Sequence, residues 1–313
     1  MSKKPKFKSA VNIDKLRVCL NMPENLYEYL HEHYSIYDEL SKSRILDEDD
    51  FNLVFIDEDE TAMTAVLNVK DIDGYYRLGT FTFSNSKKYK DKAFFSFENS
   101  ALYRIYTRQP NSAPQNHICD LLYVANFYGM TFNNVTELEL AFDSTYNYIR
   151  TARNWIKDTE NFDLYINGKK VKDAELLAGY GEYYARNRSK LSATPTLYFS
   201  QMKDTDMKMR VYDKYKELEE NSPQKAEQVK EWFGWDDMSQ LYRIEVVLHN
   251  TNVRDFFDRC REQLPDEWTE YNNVLNLLCV PEFRLAMFLD SADRLIYFKH
   301  RRTRKKVSLV EVA

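Results

Sequence analysis

Three short segments of the chain alternate between apolar and polar residues, and this period of two predicts β-strands. The segments are Thr136 to Asp143 (TELELAFD), Lys208 to Lys214 (KMRVYDK) and Tyr242 to His249 (YRIEVVLH). Successive side chains of a strand point to opposite faces, so each predicted strand has one apolar face and one polar face. If the three strands lie in one sheet with their apolar faces inward, carboxylates, cations and one tyrosine converge on the other face. That composition is typical of an active site.

The polar faces of these strands hold the candidate chemistry, and the first strand lacks a counter-charge of its own. Its carboxylates, Glu137, Glu139 and Asp143, have no cation on the same strand. A divalent cation would relieve their mutual repulsion. For any single strand, alternating charge is also typical of the solvated face of an antiparallel sheet. The polar-face residues of the other two strands are Lys208, Arg210, Tyr212 and Lys214, and then Arg243, Glu245 and His249.

The remaining pattern predicts an α+β fold. Alternation from Ala65 to Phe97 predicts a meander of strands, and Leu197 to Ser200 with Met207 to Tyr215 predicts a hairpin. Helices are also predicted at Asp120 to Tyr128, Thr145 to Lys157, Pro223 to Trp232, Val253 to Gln263 and Val274 to Leu289. We therefore predict a largely antiparallel β-sheet that carries the active site and is flanked by helices, with a helical, basic C-terminal portion. The predicted regions are an N-terminal strand-rich region (1–130), a catalytic sheet (131–250) and a helical basic region (251–313), in one or two compact domains.

Composition removes several classes of function. The 313 residues include only seven glycines, and neither G-x-G-x-x-G nor G-x-x-x-x-G-K-[ST] occurs. These absences argue against a fold built on glycine-rich nucleotide-binding loops. No apolar run approaches the length of a membrane span, and the N-terminus has no signal-peptide apolar segment, so we expect a cytoplasmic protein without membrane contact. The cysteines form no C-x-x-C pair, which argues against a zinc site or a disulfide framework. His31 and His33 lie in a segment with helical spacing, which argues against a metal role for this pair.

The charge of the chain is unevenly distributed. Asp47 to Glu60 holds eight acidic residues and no base, and removing them from the net charge of −5 leaves +3 for the rest. Arg294 to Lys306 (RLIYFKHRRTRKK) holds seven Lys or Arg and no acid. Clustered cations are the footprint of phosphate binding, although a solvated or disordered basic tail would have the same composition. The candidate DNA contacts in this run are Lys299, Arg301, Arg302, Arg304, Lys305 and Lys306.

Between Val135 and Leu248 the motifs VTELELAFD, TLYFSQMKDTDMKMRVYDK and YRIEVVL follow one another. In order and approximate spacing they resemble the replication initiation factor family, also called Rep_trans. That family comprises initiators of rolling-circle plasmid replication and related relaxases of conjugative elements. The sequence departs from the family pattern at Glu137, where a basic residue is frequent, and at Ser200-Gln201, where a glycine usually opens the turn. The role of Glu137 is therefore left open.

The resemblance implies an active site and its chemistry. Tyr212, within Arg-x-Tyr-Asp-Lys, corresponds to the nucleophile that attacks DNA, and Arg210 and Lys214 flank it. The implied reaction nicks one strand at an origin and leaves a 5′-phosphotyrosyl link and a free 3′-OH. The implied ligands of a Mg²⁺ or Mn²⁺ ion are Glu139, Asp143 and Glu245, which offer hard oxygen donors.

The resemblance also implies partners. The expected DNA is an origin, present as a hairpin or as a single-stranded nick site, and Arg243 is a further candidate DNA contact. A homodimer and a host helicase and polymerase are possible protein partners.

Other functions share these residues. A relaxase would use the same chemistry at a transfer origin, and a metal-dependent nuclease would use the carboxylates with water as the nucleophile. A non-catalytic DNA-binding regulator of the same ancestry would be expected to have lost the nucleophile or the ligands, and all of them are present in the sequence.

Overall fold

The computed structural model describes residues 8–33, 36–38, 43–71, 74–107, 117–172, 176–179, 182–185, 195–199, 207–223, 225, 229 and 240–310. The fold is α+β with a large open antiparallel sheet, which confirms the predicted class. The described elements, in chain order, are β1 (Ser9–Asn21), α1 (Leu26–Glu32), β2 (Ile36–Asp38), β3 (Ser43–Asp47), β4 (Phe51–Glu58), β5 (Ala62–Asp71), β6 (Gly74–Ser84), β7 (Lys92–Phe97), α2 (Asn99–Thr107), α3 (His117–Phe127), β8 (Thr131–Ser144), α4 (Tyr148–Lys157), β9 (Phe162–Ile166), β10 (Lys169–Lys170), β11 (Leu176–Gly179), β12 (Glu182–Ala185), β13 (Thr196–Phe199), β14 (Lys208–Asp213), α5 (Lys214–Asn221), β15 (Tyr242–His249), α6 (Asn250–Cys260), 3-10 turns at Asp266–Trp268 and Tyr271–Asn273, α7 (Val274–Leu277), α8 (Pro281–Leu295), β16 (Ile296–His300) and β17 (Lys306–Val307).

The chain divides into two compact units that are each made of separate stretches of sequence. Unit 1 comprises Met1–Asn12, Glu139–Glu262 and Pro281–Ala313, and unit 2 comprises Ile13–Leu138 and Gln263–Val280. The division falls within β1 and β8.

Unit 2 contains the predicted meander. Its strand order is β8-β1-β7-β6-β5-β4-β3-β2, and β5, β6 and β7 cover the segment predicted from Ala65 to Phe97. Alternate residues of neighbouring strands, such as Leu53, Leu67, Phe81 and Phe95, are fully buried on one face, as a period of two requires. At Gly79 the Ser96 carbonyl oxygen and the Phe95 ring occupy the space of a side chain, so only glycine fits there.

Unit 1 brings the three alternating segments together. The strand order is β12-β11-β13-β14-β15-β8, so β14, β15 and β8 are neighbours as predicted. Met209, Val211, Ile244 and Val246 are buried, which confirms the predicted apolar face. Phe142 on this face packs against Phe288 of α8 and Tyr148 of α4. These helices therefore hold the apolar side of the site-bearing strands.

Two predicted elements differ in the structure. Strand β14 ends at Asp213, whose carboxylate accepts a hydrogen bond from the backbone N–H of Lys216 and caps α5, so Lys214 begins a helix instead of extending the strand. The helix predicted from Val274 to Leu289 is two helices, since Pro281 begins a new one. The segment predicted as a helix from Pro223 to Trp232 and the turn from Ser200 to Asp206 lie mostly or wholly outside the described residues.

The basic C-terminal run is also not helical beyond Leu295. It forms β16 and β17, which join β9 and β10 in a four-stranded sheet of order β10-β9-β16-β17. The apolar residues of β16, Ile296 and Phe298, are buried, and this alternation favours a strand. None of the helices in the described ranges combines the length and the apolar character required to cross a membrane.

Candidate active site

The strand register of unit 1 brings the predicted site residues together. In the antiparallel pair of β14 and β15, Arg210 lies opposite Glu245 and Tyr212 lies opposite Arg243. Strand β8 lies on the other side of β15 and supplies Glu139 and Asp143. The convergence predicted from alternation is therefore present in the fold.

The Tyr212 hydroxyl donates a hydrogen bond to Oε1 of Glu245 at 2.5 Å. Both side chains are buried, with 8% of Tyr212 and 1% of Glu245 exposed. Two guanidinium groups contact the same carboxylate: Arg210 contacts Oε2, and Arg243 Nη1 lies 3.4 Å from Oε1. Glu245 thus accepts a hydrogen bond from the phenol of Tyr212, and two arginines balance its charge.

Behind this carboxylate lies a second buried ion pair. Arg243 donates to both oxygens of Asp143, through Nε at 2.7 Å and Nη2 at 2.9 Å. The Nδ2 of Asn12 on β1 also contacts Asp143, at 3.3 Å. A two-pronged contact of this kind fixes the guanidinium plane, and with it the group that Arg243 presents to Glu245. Asn12 was not predicted, although its place between the apolar residues of β1 is a signal that a polar side chain there needs a partner.

Arg210 is the most accessible cation of the cluster. Its side chain is 36% exposed, and it joins Glu245 to Glu139, whose Oε2 lies 3.4 Å away. Burial lowers the pKa of Arg210, but the nearby Glu245, Tyr212 and Glu139 outweigh that effect and raise it. Arg210 therefore remains a cation at the open side of the cluster.

Two predicted residues have other surroundings. Lys214, at the start of α5, forms an ion pair with Glu217 at 2.7 Å, while its Nζ lies 5.7 Å from the centre of the Tyr212 ring. Its predicted place on the strand face is wrong because Asp213 ends the strand. Glu137 contacts Lys15 at 3.0 Å and Arg17 at 3.8 Å, so cations of β1 balance its charge.

The arrangement does not fit the metal site that the resemblance implies. The oxygens of Glu139, Asp143 and Glu245 face guanidinium groups, which supply the positive charge that the sequence led us to expect from a divalent ion. Within the described ranges, no three His, Cys, Asp or Glu side chains form a group that could hold a metal ion. The Mg²⁺ or Mn²⁺ site stays a prediction, and the chemistry proposed for the cluster uses the residues of the chain alone.

The predicted DNA contacts fall into two groups. Arg243 is 1% exposed and is held by Asp143 and Glu245, so it is not placed to touch DNA, and this corrects the prediction. The residues of the basic run lie at the surface of the β16–β17 hairpin: Lys299, Arg301, Arg302, Arg304, Lys305 and Lys306.

Comparisons with protein-family models and with curated protein sequences give no match to this chain. The resemblance to the replication initiation factor family therefore rests on the three motifs themselves.

Proposed function

We propose that the chain nicks one strand of DNA by transesterification, with Tyr212 as the nucleophile, and acts as an initiator of rolling-circle replication. The observation that carries the proposal is the 2.5 Å hydrogen bond from the Tyr212 hydroxyl to Glu245, within the motif that resembles the family signature. A nucleophile in hydrogen-bond contact with a carboxylate that is itself oriented by a third group is the arrangement that activates hydroxyl nucleophiles. Here Arg243 is that third group.

The proposed reaction exchanges one ester bond of a DNA phosphate for an ester bond to Tyr212. The Tyr212 oxygen attacks the phosphorus of a phosphodiester and transfers its proton to Glu245. The bond from phosphorus to the 3′ oxygen breaks, that oxygen takes up a proton from solvent to become the free 3′-OH, and Glu245 returns its proton to solvent. The phosphate stays on Tyr212 as a 5′-phosphotyrosyl ester. Because a phenolate, with a reference pKa near 10, is a better leaving group than a sugar alkoxide, the reverse reaction can rejoin the strand.

In the proposed complex, the DNA phosphate approaches the cluster from its exposed side, where Arg210 lies. Arg210 is the cation that a phosphate would meet first, because its side chain is 36% exposed whereas Arg243 is buried. A guanidinium can hold two non-bridging phosphate oxygens at once. In the proposed complex, phosphate oxygens replace part of the contact between Arg210 and Glu139, which is already long at 3.4 Å.

The same chemistry would serve a relaxase at a transfer origin, and the position of the nick distinguishes the two roles. The non-catalytic regulator predicts DNA binding without covalent capture. A water-dependent nuclease predicts cleavage without covalent capture.

The test is covalent capture of a pool of random-sequence single-stranded oligonucleotides labelled at the 3′ end. Incubation is done with Mg²⁺, with Mn²⁺ and with EDTA, and denaturing gels reveal labelled protein. We expect an adduct with the unaltered protein and none with Tyr212→Phe, since only the attacking hydroxyl is removed. Binding of the pool by the variant should stay within a few-fold, because the ring and the cations remain.

A matched control is Tyr242→Phe. Tyr242 lies one residue before Arg243, on the opposite face of the same strand, so its hydroxyl is not near Glu245. This variant should form as much adduct as the unaltered protein. An undiminished adduct with Tyr212→Phe would refute the assignment of the nucleophile.

A further inference from the structure

The four-stranded sheet of unit 1 has one face that combines aromatic rings with cations. In its register, Tyr297 lies opposite Tyr165, and Lys299 lies opposite both Asp163 and Lys306. The alternate residues Leu164, Ile166, Ile296 and Phe298 are buried on the other side. The face that carries the tyrosines is thus the outer one.

The two tyrosines form a stacked pair. Their ring centroids are 4.7 Å apart and their planes differ by 8°. A lysine lies over each ring, with Lys299 Nζ 5.8 Å from the centre of Tyr165 and Lys306 Nζ 4.8 Å from the centre of Tyr297. Lysine side chains are long and flexible, so a planar ligand can take the place of the ammonium group on a ring while that group turns to an anion beside it.

A buried carboxylate organises the cations around this pair. Asp163, 3% exposed, contacts Nζ of Lys170 at 3.0 Å and accepts a hydrogen bond from Nε of Arg301 at 2.7 Å. Lys306 has a weaker contact with Asp293, at 3.4 Å. Four cations thus face two carboxylates on this surface, and the exposed turn adds Arg302, Arg304 and Lys305.

We propose that this face, defined by Tyr165, Tyr297, Lys170, Lys299, Arg301 and Lys306, binds single-stranded DNA. Bases stack on the tyrosines, and the cations contact the phosphates. Aromatic side chains within a basic surface form the usual platform for single strands, because every base has a π face. In a duplex the base faces are covered by their neighbours, and an acidic peptide would use the cations without the rings. DNA as the ligand class rests on the proposed function, but the site itself uses none of the residues around Tyr212.

The test measures equilibrium binding of fluorescein-labelled oligo(dT) and of a duplex of the same length. All proteins carry Tyr212→Phe, so that cleavage does not interfere. We expect Tyr165→Ala and Tyr297→Ala each to weaken oligo(dT) binding about tenfold, as is typical when one base no longer stacks on an aromatic ring. Tyr165→Phe and Tyr297→Phe should bind as before, because the ring is kept, and circular dichroism of the alanine variants controls for folding.

The salt dependence separates the two kinds of contact. The alanine variants should leave the slope of log K against log salt unchanged. Lys299→Gln with Lys306→Gln should instead reduce the slope by about 0.7 for each phosphate that is no longer neutralised. Tyr89→Ala is the matched control, since Tyr89 in unit 2 is an exposed tyrosine with Lys88 Nζ 4.8 Å from its ring centre. It should bind oligo(dT) normally.

The inference is overturned if both alanine variants bind oligo(dT) as tightly as the parent. It is also overturned if oligo(dT) and duplex binding weaken equally, because the face is then a general phosphate surface. A covalent adduct from the unaltered protein, together with normal binding by the alanine variants, would refute this site alone. Tyrosine-dependent binding without any adduct would refute the nicking function alone.

Discussion

An arginine pairs with a buried aspartate twice in unit 1, with the same Nε–oxygen distance but very different access of the arginine to water. In both pairs the arginine Nε lies 2.7 Å from an aspartate oxygen. Arg243 and Asp143 are 1% and 0% exposed, whereas the side chains of Arg301 and Asp163 are 38% and 4% exposed. The contact distance therefore does not distinguish the pairs, and burial does.

Burial decides what each pair can do. Removing one member of a buried pair leaves the other charge without water or a partner. Arg243 therefore stays with Asp143 and Glu245. Its role is to position Glu245, the carboxylate that accepts a hydrogen bond from Tyr212. A cation that water already reaches loses little when it changes partner. Arg301 and its neighbours are for this reason suited to exchange a carboxylate for a phosphate.

The largest expected effect on stability comes from breaking the buried pair. Arg243→Met should lower the free energy of unfolding by about 3–5 kcal/mol, because Asp143 is left buried without its guanidinium. Arg301→Met should change it by less than about 1 kcal/mol, because this arginine is 38% exposed and Asp163 keeps its contact with Lys170. Urea unfolding followed by circular dichroism measures both.

The double variant Arg243→Met/Asp143→Leu controls for the cause of that destabilisation. If the uncompensated charge is responsible, replacing both members by apolar residues should restore much of the stability. Adduct formation should nevertheless stay low, since Glu245 no longer has the group that orients it. Equal destabilisation by Arg243→Met and Arg301→Met would contradict the role assigned to burial.

Arg210 tests a part-exposed cation that still contacts a buried carboxylate. It contacts both Glu139 and Glu245. Arg210→Gln should cost about 1–3 kcal/mol of stability, less than Arg243→Met, because Glu245 keeps its contact with Arg243. Adduct formation should fall about 10²-fold or more, as expected when a group that stabilises charge in the transition state is removed.

Arg210→Lys refines the same test. It keeps the charge and removes the planar fork, so it should recover stability better than activity. Measuring both with and without Mg²⁺ also shows whether a metal ion enters once the guanidinium has gone. If Mg²⁺ raises the melting temperature of the unaltered protein, the ion already competes with Arg210 for these carboxylates.

The sequence predicted the strands of the site and the residues that share a face, because side-chain alternation is a local property of the chain. Tyr212, Arg210 and Glu245 converge for that reason. It did not predict that the polar face is buried at Asp143 and Glu245, since the pattern within a strand does not specify what covers it. Asn12 was missed for a related reason: its contact with Asp143 joins positions 131 residues apart.

The charge pattern of the basic run did not predict that this segment forms strands. Seven cations in a short segment indicated a phosphate-binding tail, and the alternation of Ile296, Tyr297, Phe298 and Lys299 was the signal for a strand. Its partner β9 was not predicted, and without it the stack of Tyr297 on Tyr165 could not be foreseen. Pairing between distant segments depends on the tertiary fold, which a short sequence window does not contain.

The smallest expected effect concerns the pair of Asp163 with the part-exposed Arg301, and its dependence on pH. Burial would raise the pKa of Asp163, but hydrogen bonds from Lys170 and Arg301, with the charges of those groups, lower it below its ordinary value of 3.8. A carboxylate whose pKa is lower in the folded protein contributes stability above pH 3.8 and loses it as the pH falls through the folded value. Asp163→Asn should therefore be slightly less stable than the unaltered protein at neutral pH, and the difference should shrink below pH 3.8. Urea unfolding at a series of pH values measures it. A difference that stays constant across this range would mean that the variant acts through packing and that the cations around Tyr165 and Tyr297 do not depend on the charge of Asp163.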